Sequence, residues 1–277
     1  MQNLSNKNMI HVIKDNISYL QFRKLLEYPE IAHAYTVGLD NNLRTVVNSG
    51  VTSNYDNGIN KYKILCDDLG IDFNGCVRAS LNHTPDIKII PADIDMPFFD
   101  NDRIRHDGII TNEKGINLIT NSADCITLFL YDKEKGVIGN IHSGWKGTYN
   151  KILENALKNM HEYYGCNYRD IMIFICPSIR DCHFEVDYDV FELFDTRFRE
   201  YSNIIRKKGN KWHIDTVLIN KYMSLDLGVK EDNIYDSEIC TVCNKDTINS
   251  YRAHGKSFGL NAGIIGMRGK VRCLKKN

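Results

Sequence analysis

The stretch that most constrains this chain is the apolar run Ile126-Thr127-Leu128-Phe129-Leu130-Tyr131, closed by Asp132-Lys133-Glu134-Lys135 and followed by Gly136-Val137-Ile138-Gly139-Asn140-Ile141. The first run reads as a buried strand and the second as its partner, and the short charged turn between them makes a hairpin. A hairpin fixes what stands at its open end. Cys125 and His142 therefore fall on neighbouring strand ends. A soft thiolate beside an imidazole suits a zinc site or an activated sulfur nucleophile. For an arbitrary pair the commoner case is a structural cysteine beside a core histidine. Here His142 opens His-Ser-Gly-Trp-Lys-Gly, and two glycines around a large aromatic point to backbone packed against a ligand.

The 277 residues suffice for one large core or two small ones, and no linker, repeat or low-complexity stretch divides them. The expectation is a single domain over residues 1–277. Strands and helices interleave irregularly. Asn60–Leu69 has helical spacing with Gly70 as a stop, and Thr148 is placed to cap a helix from Tyr149 to Tyr164 ended by Gly165. In that helix Ile152, Leu153, Ala156, Leu157 and Met160 share a face. Ile171–Ile175 reads as a short buried strand, and Val190–Phe198 and Asp215–Leu227 read as helices. The fold class is α/β, with a mixed α+β sheet rather than a strict doubly wound one.

Lys+Arg and Asp+Glu both number 35, so no global field draws the chain to nucleic acid or an anionic membrane. Nine irregularly spaced cysteines argue against a secreted disulfide framework. The amino terminus has no apolar signal core, and no apolar run reaches the ~18 residues of a membrane span. These features predict a cytoplasmic protein without a membrane or nucleic-acid partner. They leave its oligomeric state open.

Ser122-Ala123-Asp124-Cys125 with Ile141-His142-Ser143-Gly144-Trp145-Lys146-Gly147 resembles the signature of the laccase-domain family. Its members were first called multicopper polyphenol oxidoreductases and are now read as zinc-dependent purine nucleoside phosphorylases. His106-Asp107-Gly108-Ile109-Ile110-Thr111 resembles the strand leading into the signature. Cys176-Pro177-Ser178-Ile179 with Phe184-Glu185-Val186, and Cys240-Thr241-Val242-Cys243-Asn244 with Ser250-Tyr251-Arg252, resemble two later blocks. The resemblance implies a layered α-β-β-α fold and a zinc held by His83, Cys125 and His142. It also implies phosphorolysis and adenosine deamination in one site, with a purine nucleoside and phosphate as partners. Three family arginines fall on Gly38, Lys146 and Leu260 here. Lysine serves only as a point charge where arginine clamps phosphate bidentately, so the phosphate site is thinned.

Other residues carry weaker signals. Trp145 and Lys146 are candidates to line the substrate, and Arg252 to anchor phosphate or a substrate carbonyl. Trp145 is also a candidate core residue, and Arg252 a candidate ion-pair partner. Asp124 and Glu185 could orient a metal-bound histidine. His33 and His106 lie in strand-like apolar contexts and read as structural. Cys240-x-x-Cys243 has no second such pair to complete four ligands, and Cys176 and Cys182 are too far apart to form one knuckle. It reads as a structural turn. Lys256, Lys270, Arg272, Lys275 and Lys276 read as a solvated basic tail.

The leading reading is a zinc-dependent purine nucleoside phosphorylase with adenosine deaminase-type activity. One alternative is a metal-free cysteine hydrolase or amidase using Cys125 and His142 as a dyad. Another is an inactive zinc-binding paralogue acting through protein contacts. A multicopper oxidase is disfavoured, because none of the nine histidines forms a His-x-His pair.

Overall fold

The computed structural model describes residues 2–39, 55–91 and 105–269. Arg44 and the tail residues Lys270, Arg272, Lys275 and Lys276 lie outside them. One six-stranded sheet is built from Met9–Ile13 (β1), Ser18–Phe22 (β2), Ile31–Val37 (β3), Cys76–Arg78 (β4), Asn117–Ser122 (β7) and Asn261–Met267 (β15), in the order β1-β2-β3-β15-β7-β4. The other takes Ile87–Ile89 (β5), Gly108–Thr111 (β6), Ile126–Asp132 (β8), Val137–Ser143 (β9), Met172–Ile175 (β10) and Ile234–Asp236 (β14), in the order β14-β10-β8-β9-β6-β5. Both mix parallel and antiparallel pairings.

Alternation along β8 shows how the layers form. Phe129 and Tyr131 point into the core between the sheets, with Phe22, Tyr35, Leu118 and Ile265 of the first sheet. Ile126, Leu128 and Leu130 point the other way, onto the helix Ile152–Tyr164 (α3). Both faces are covered, which is why the run is continuously apolar rather than alternating. Thr216–Asp226 (α5) covers the same face through Val217. On the far side of the first sheet, Tyr62, Leu65, Cys66 and Leu69 of Tyr55–Leu69 (α1) pack on Ala32, Ala34, Ile119 and Ile264. The result is α-β-β-α, as the resemblance implied.

Two contacts hold the sheets in register. A Cβ on Gly263 would stand 2.5 Å from Thr127 Cγ2, so only glycine lets β15 lie this close to β8. The fully buried Asn140 donates across the core to the carbonyls of Leu118 (2.9 Å) and Gly263 (2.8 Å), and accepts from Thr120 Oγ1 (2.8 Å).

The expected helix Tyr149–Tyr164 is divided. Trp145–Tyr149 (α2) begins after Gly144, and left-handed Lys151 (φ 59°) separates it from α3. Thr148 does not cap a helix; it is buried inside α2, bonded to Ser143 Oγ (2.9 Å) and to Asn220 Nδ2 (3.2 Å). A tertiary polar contact has claimed the hydroxyl that the sequence offered as a cap. The predicted apolar face of α3 is fully buried, and left-handed Gly165 closes it.

Glu185–Val186 (β11), Ile205–Lys208 (β12) and Lys211–Ile214 (β13) form a third, small sheet in the order β11-β13-β12. Its cluster includes Val186 and Ile214, Phe194 of Tyr188–Arg197 (α4), and Ile219 and Met223 of α5. No described helix is long and apolar enough to cross a membrane. His33 is buried, accepts a hydrogen bond from Phe22 N–H (2.8 Å) and is held down to about 3 by burial, as a structural histidine would be.

Candidate functional site

The hairpin register builds the site. Ile126 pairs with Ser143 and Thr127 with His142, so Cys125 emerges beside Gly144. A Cβ on Gly144 would lie 3.0 Å from Cys125 Sγ, 3.7 Å from His142 Cε1 and 3.8 Å from His83 Cδ2. Glycine leaves room for all three side chains at one point. The His83 and His142 rings face each other at 5.2 Å between centroids. His83 arrives from the segment before β5, on a left-handed residue (φ 60°).

Asp107 organises these groups. Its carboxylate is fully buried. One oxygen accepts from the backbone N–H groups of Asn82 (2.9 Å) and Thr84 (3.0 Å), which fixes the turn that carries His83. The other lies 2.8 Å from His142 Nδ1. The Asp107 carbonyl also accepts from His142 N–H (2.7 Å). Burial opposes the charge on Asp107, yet the His142 contacts and the two amides outweigh it and hold the carboxyl below its usual range. His83 and His142 can share an ion with Asp107, whose three donor atoms lie within 4.8 Å of one another. The Asp107 carboxylate already accepts from the Asn82 and Thr84 amides and contacts His142 Nδ1, and Cys125 is not part of this group of donors. Orientation of Nδ1 by a buried carboxylate is the usual arrangement behind a metal-bound histidine.

Electrostatics set the two histidines apart. Burial pulls the His142 pKa down, but the Cys125 sulfur and the Asp107 carboxylate outweigh it and raise it to about 9. Burial, His142 and Lys146 together lower His83, against the pull of Asp107, so His83 is a neutral imidazole able to bind a cation.

Asp124 holds Cys125 in place. It is left-handed (φ 92°) and buried, a strained conformation for a non-glycine residue. Thr241 Oγ1 and the Arg252 N–H each donate to its carboxylate at 2.6 Å. Neither Asp124 nor Glu185 orients His83 or His142; Glu185 lies 3.7 Å from His213, outside the site.

Lys146 is exposed, with Nζ 5.5 Å from the Trp145 ring centroid. Trp145 is half-buried against the cluster of α4 and the small sheet, so one part of it serves packing. The exposed Arg252 guanidinium donates to the carbonyls of His183 (2.7 Å) and Glu185 (3.1 Å). Gly38 is left-handed (φ 101°), so arginine there would be strained in this chain. A surface cleft lined by Ile13, Ile17, Ile64 and Asp68 shares no residue with the site.

Sequence reasoning missed Asp107 as the partner of His142, although His-Asp-Gly before a strand was visible. It also read Cys240-x-x-Cys243 as a turn without further ligands. The structure corrects this: Cys182 and His183 stand against Cys240 and Cys243, with donor atoms all within 4.8 Å. The adjacent soft donors Cys182-His183 were the available signal.

The fold and site define a two-sheet α/β protein with grouped histidine and cysteine side chains able to hold a metal ion. A profile of the family described as "Multi-copper polyphenol oxidoreductase laccase" matches residues 43–268, and the chain belongs to that family. It is 36% identical over 162 residues to a protein of Bacteroides thetaiotaomicron named purine nucleoside phosphorylase, a match covering 57% of this chain and 60% of that one. It is 32% identical to purine nucleoside phosphorylase YlmD of Bacillus subtilis, over 58% of this chain and 59% of that one. Both alignments thus span about three-fifths of the relative's length. "Adenosine deaminase RL5", from an unknown prokaryotic organism, is 28% identical over 70% of this chain and 74% of that one. The solved YlmD of Geobacillus stearothermophilus superposes with a TM-score of 0.81 at 22% identity, covering 94% of this chain and all of that one, which shows the shared fold.

Proposed function

We propose that this chain is a zinc-dependent purine nucleoside phosphorylase that also deaminates adenosine. The observation that supports the proposal is that the Cys125, His142 and His83 side chains all approach Gly144, with Cys125 and His142 on the family's signature. The donor set fits zinc: two imidazoles and one thiolate leave a fourth position for substrate, the pattern of catalytic rather than structural sites. When bound, zinc supplies a Lewis-acid centre against a nucleoside.

The chain's residues supply the rest. Asp107 holds the His142 ring in one tautomer and orientation, and through the Asn82 and Thr84 amides sets the position of His83. Trp145 offers an aromatic face to a planar purine, and exposed Lys146 offers a positive charge to an incoming phosphate. In phosphorolysis phosphate bonds to the anomeric carbon as the bond to the purine breaks, giving the free base and the sugar 1-phosphate. Gly38 and Leu260 contribute no cation to this step. Each charge-assisted phosphate contact is worth on the order of 1.5–3 kcal/mol, so losing two raises the phosphate requirement by about a hundredfold or more. Deamination consumes water and releases ammonia, and needs no phosphate clamp. Arg252 contributes by holding the His183–Glu185 segment.

A second reading has a specific observation behind it. Asp107, His142 and Cys125 are also ordered as acid, base and sulfur nucleophile, which a metal-free hydrolase would use. His83 has no task in that arrangement. Its presence at the same point favours metal.

The test is to load the protein with zinc and follow adenosine by chromatography across a phosphate titration. Adenine release rising with phosphate and saturating only at high concentration, with inosine formed independently of phosphate, is the expected result. Activity unaffected by chelation but abolished by alkylating Cys125 would establish the second reading. Absence of both products from the zinc-loaded protein would overturn the proposal.

A further inference from the structure

We propose that Cys182, His183, Cys240 and Cys243 form a second metal site, a closed structural zinc site distinct from the one at Cys125. Cys182 Sγ lies 3.6 Å from Cys240 Sγ and 3.9 Å from Cys243 Sγ. His183 Nδ1 lies 3.2 Å from Cys182 Sγ, 3.6 Å from Cys240 Sγ and 3.5 Å from Cys243 Sγ. A tetrahedral zinc, with Zn–S of about 2.3 Å and Zn–N of about 2.0–2.1 Å, sets S···S at about 3.8 Å and S···N at about 3.5 Å. The side chains therefore stand at the corners of a zinc tetrahedron.

Neither a disulfide nor apolar packing accounts for the cluster. The sulfurs are too far apart for a disulfide, whose S–S bond is about 2.05 Å, and three thiols could form only one. Burial in an apolar core does not hold them together either, because Cys182 and Cys243 reach solvent. Three sulfurs and an imidazole select zinc over magnesium or calcium, which take oxygen ligands. No carboxylate is among the four donors and no position is left for substrate, as in structural sites.

The backbone brings the two arms together before any metal binds. Ser178 pairs in parallel with Cys240, and Thr241 N–H donates to the Ser178 carbonyl (3.0 Å). Arg180, just before Cys182, grips Asp236, just before Cys240, through both guanidinium nitrogens (2.6 and 3.0 Å). Asn244 closes the Cys-x-x-Cys turn by donating its N–H (3.2 Å) and Nδ2 (2.8 Å) to the Cys240 carbonyl. Each ligating thiol gives its proton to solvent as the metal–sulfur bond forms.

Position gives the site its consequence. Thr241, between the two cysteines, donates to Asp124, and Asp124 sets the strained turn before Cys125. Arg252 clamps the His183 carbonyl and donates its N–H to the same carboxylate. A metal here braces the wall that carries Cys125.

The test counts metals on the full-length chain. Protein stripped of metal under reducing conditions and reloaded with zinc is examined by native mass spectrometry, and cobalt is substituted to read the ligands spectroscopically. Expected are two ions in the wild type, one in Cys125→Ala and one in Cys243→Ser. The intense thiolate-to-cobalt absorption of a three-sulfur site should persist in Cys125→Ala and collapse in Cys243→Ser. Should Cys243→Ser fail to fold, zinc protection of Cys182, Cys240 and Cys243 from alkylation within Cys125→Ala gives the same answer. No metal in Cys125→Ala, no protection of those thiols, or an unchanged cobalt spectrum in Cys243→Ser would overturn the proposal. Because the two sites are counted separately, failure here is distinguishable from absence of nucleoside chemistry.

Discussion

Around Gly144, the side chains of two histidines and a cysteine approach one another with a fully buried carboxylate behind His142, and two of the residues that set the geometry, His83 and Asp124, have left-handed backbones. Around Thr241, four donors touch one another with no carboxylate among them, on arms joined by an ion pair and a parallel bridge. Both groups use histidine and cysteine. The difference lies in what is left over. On the proposed readings, the first arrangement would leave a coordination position for substrate, whereas the second would fill every position and serve only the fold. Residue type identifies a metal site, whereas the surrounding shell indicates its use.

The largest expected effect comes from separating these roles. Cys125→Ala should remove the first ion and bring adenine release to background while leaving the melting temperature close to wild type, because catalytic-site ligands seldom carry the core. Asp107→Asn should weaken the first ion or the turnover by about 10–100-fold and spare the second, the usual cost of losing the group behind a metal-bound histidine. Metal counting beside a thermal melt checks both. Equal loss of both ions in Asp107→Asn would erase the difference between the two sites.

An intermediate effect concerns acid. Arg180 and Lys221 flank Asp236, and the Glu238 N–H donates to it; against the cost of burial, they lower its carboxyl from 3.8 to about 2. A depressed carboxyl contributes stability that is complete above the unfolded value and is lost as pH falls through the folded one. The chain should therefore lose about 2 kcal/mol from this group between pH ~4 and ~2. In Asp236→Asn that portion of the acid dependence should vanish, as read by urea melts at several pH values. The Cys182 cluster should loosen first, since Asp236 holds the end of β14 that delivers Cys240.

The smallest effect is expected at Gly144. Its φ of −70° suits alanine, but the new Cβ would meet Cys125 Sγ at 3.0 Å. Gly144→Ala should cost about 1 kcal/mol of metal affinity at the first site through that crowding, and nothing at the second. Competition with a chelator measures it. An unchanged affinity would mean that Cys125 moves freely and that its position is not set by the hairpin.

Local signals were legible in the sequence because they repeat or sit side by side. The continuous apolar run of β8, the periodic face of α3 and the Cys125–His142 spacing across one hairpin involve neighbours in the chain, and all three reappear in the structure. The signature also placed the chain in its family. What the sequence left undecided depends on groups distant along the chain. Thr148 looked like a cap until Ser143 and Asn220 took its hydroxyl, and the chain-distant carbonyls that Arg252 bonds were not visible in the sequence.

The amino-acid sequence by itself determined the strands, the helix faces and the motif that pairs Cys125 with His142, because apolar periodicity and turn chemistry act over a few residues. Only the tertiary structure decided that Asp107 stands behind His142 and that Cys182 and His183 complete the set begun by Cys240 and Cys243. Those contacts join side chains 35 and about 60 residues apart. Which distant polar groups meet is set by how two sheets stack, and no spacing in the chain encodes that stacking.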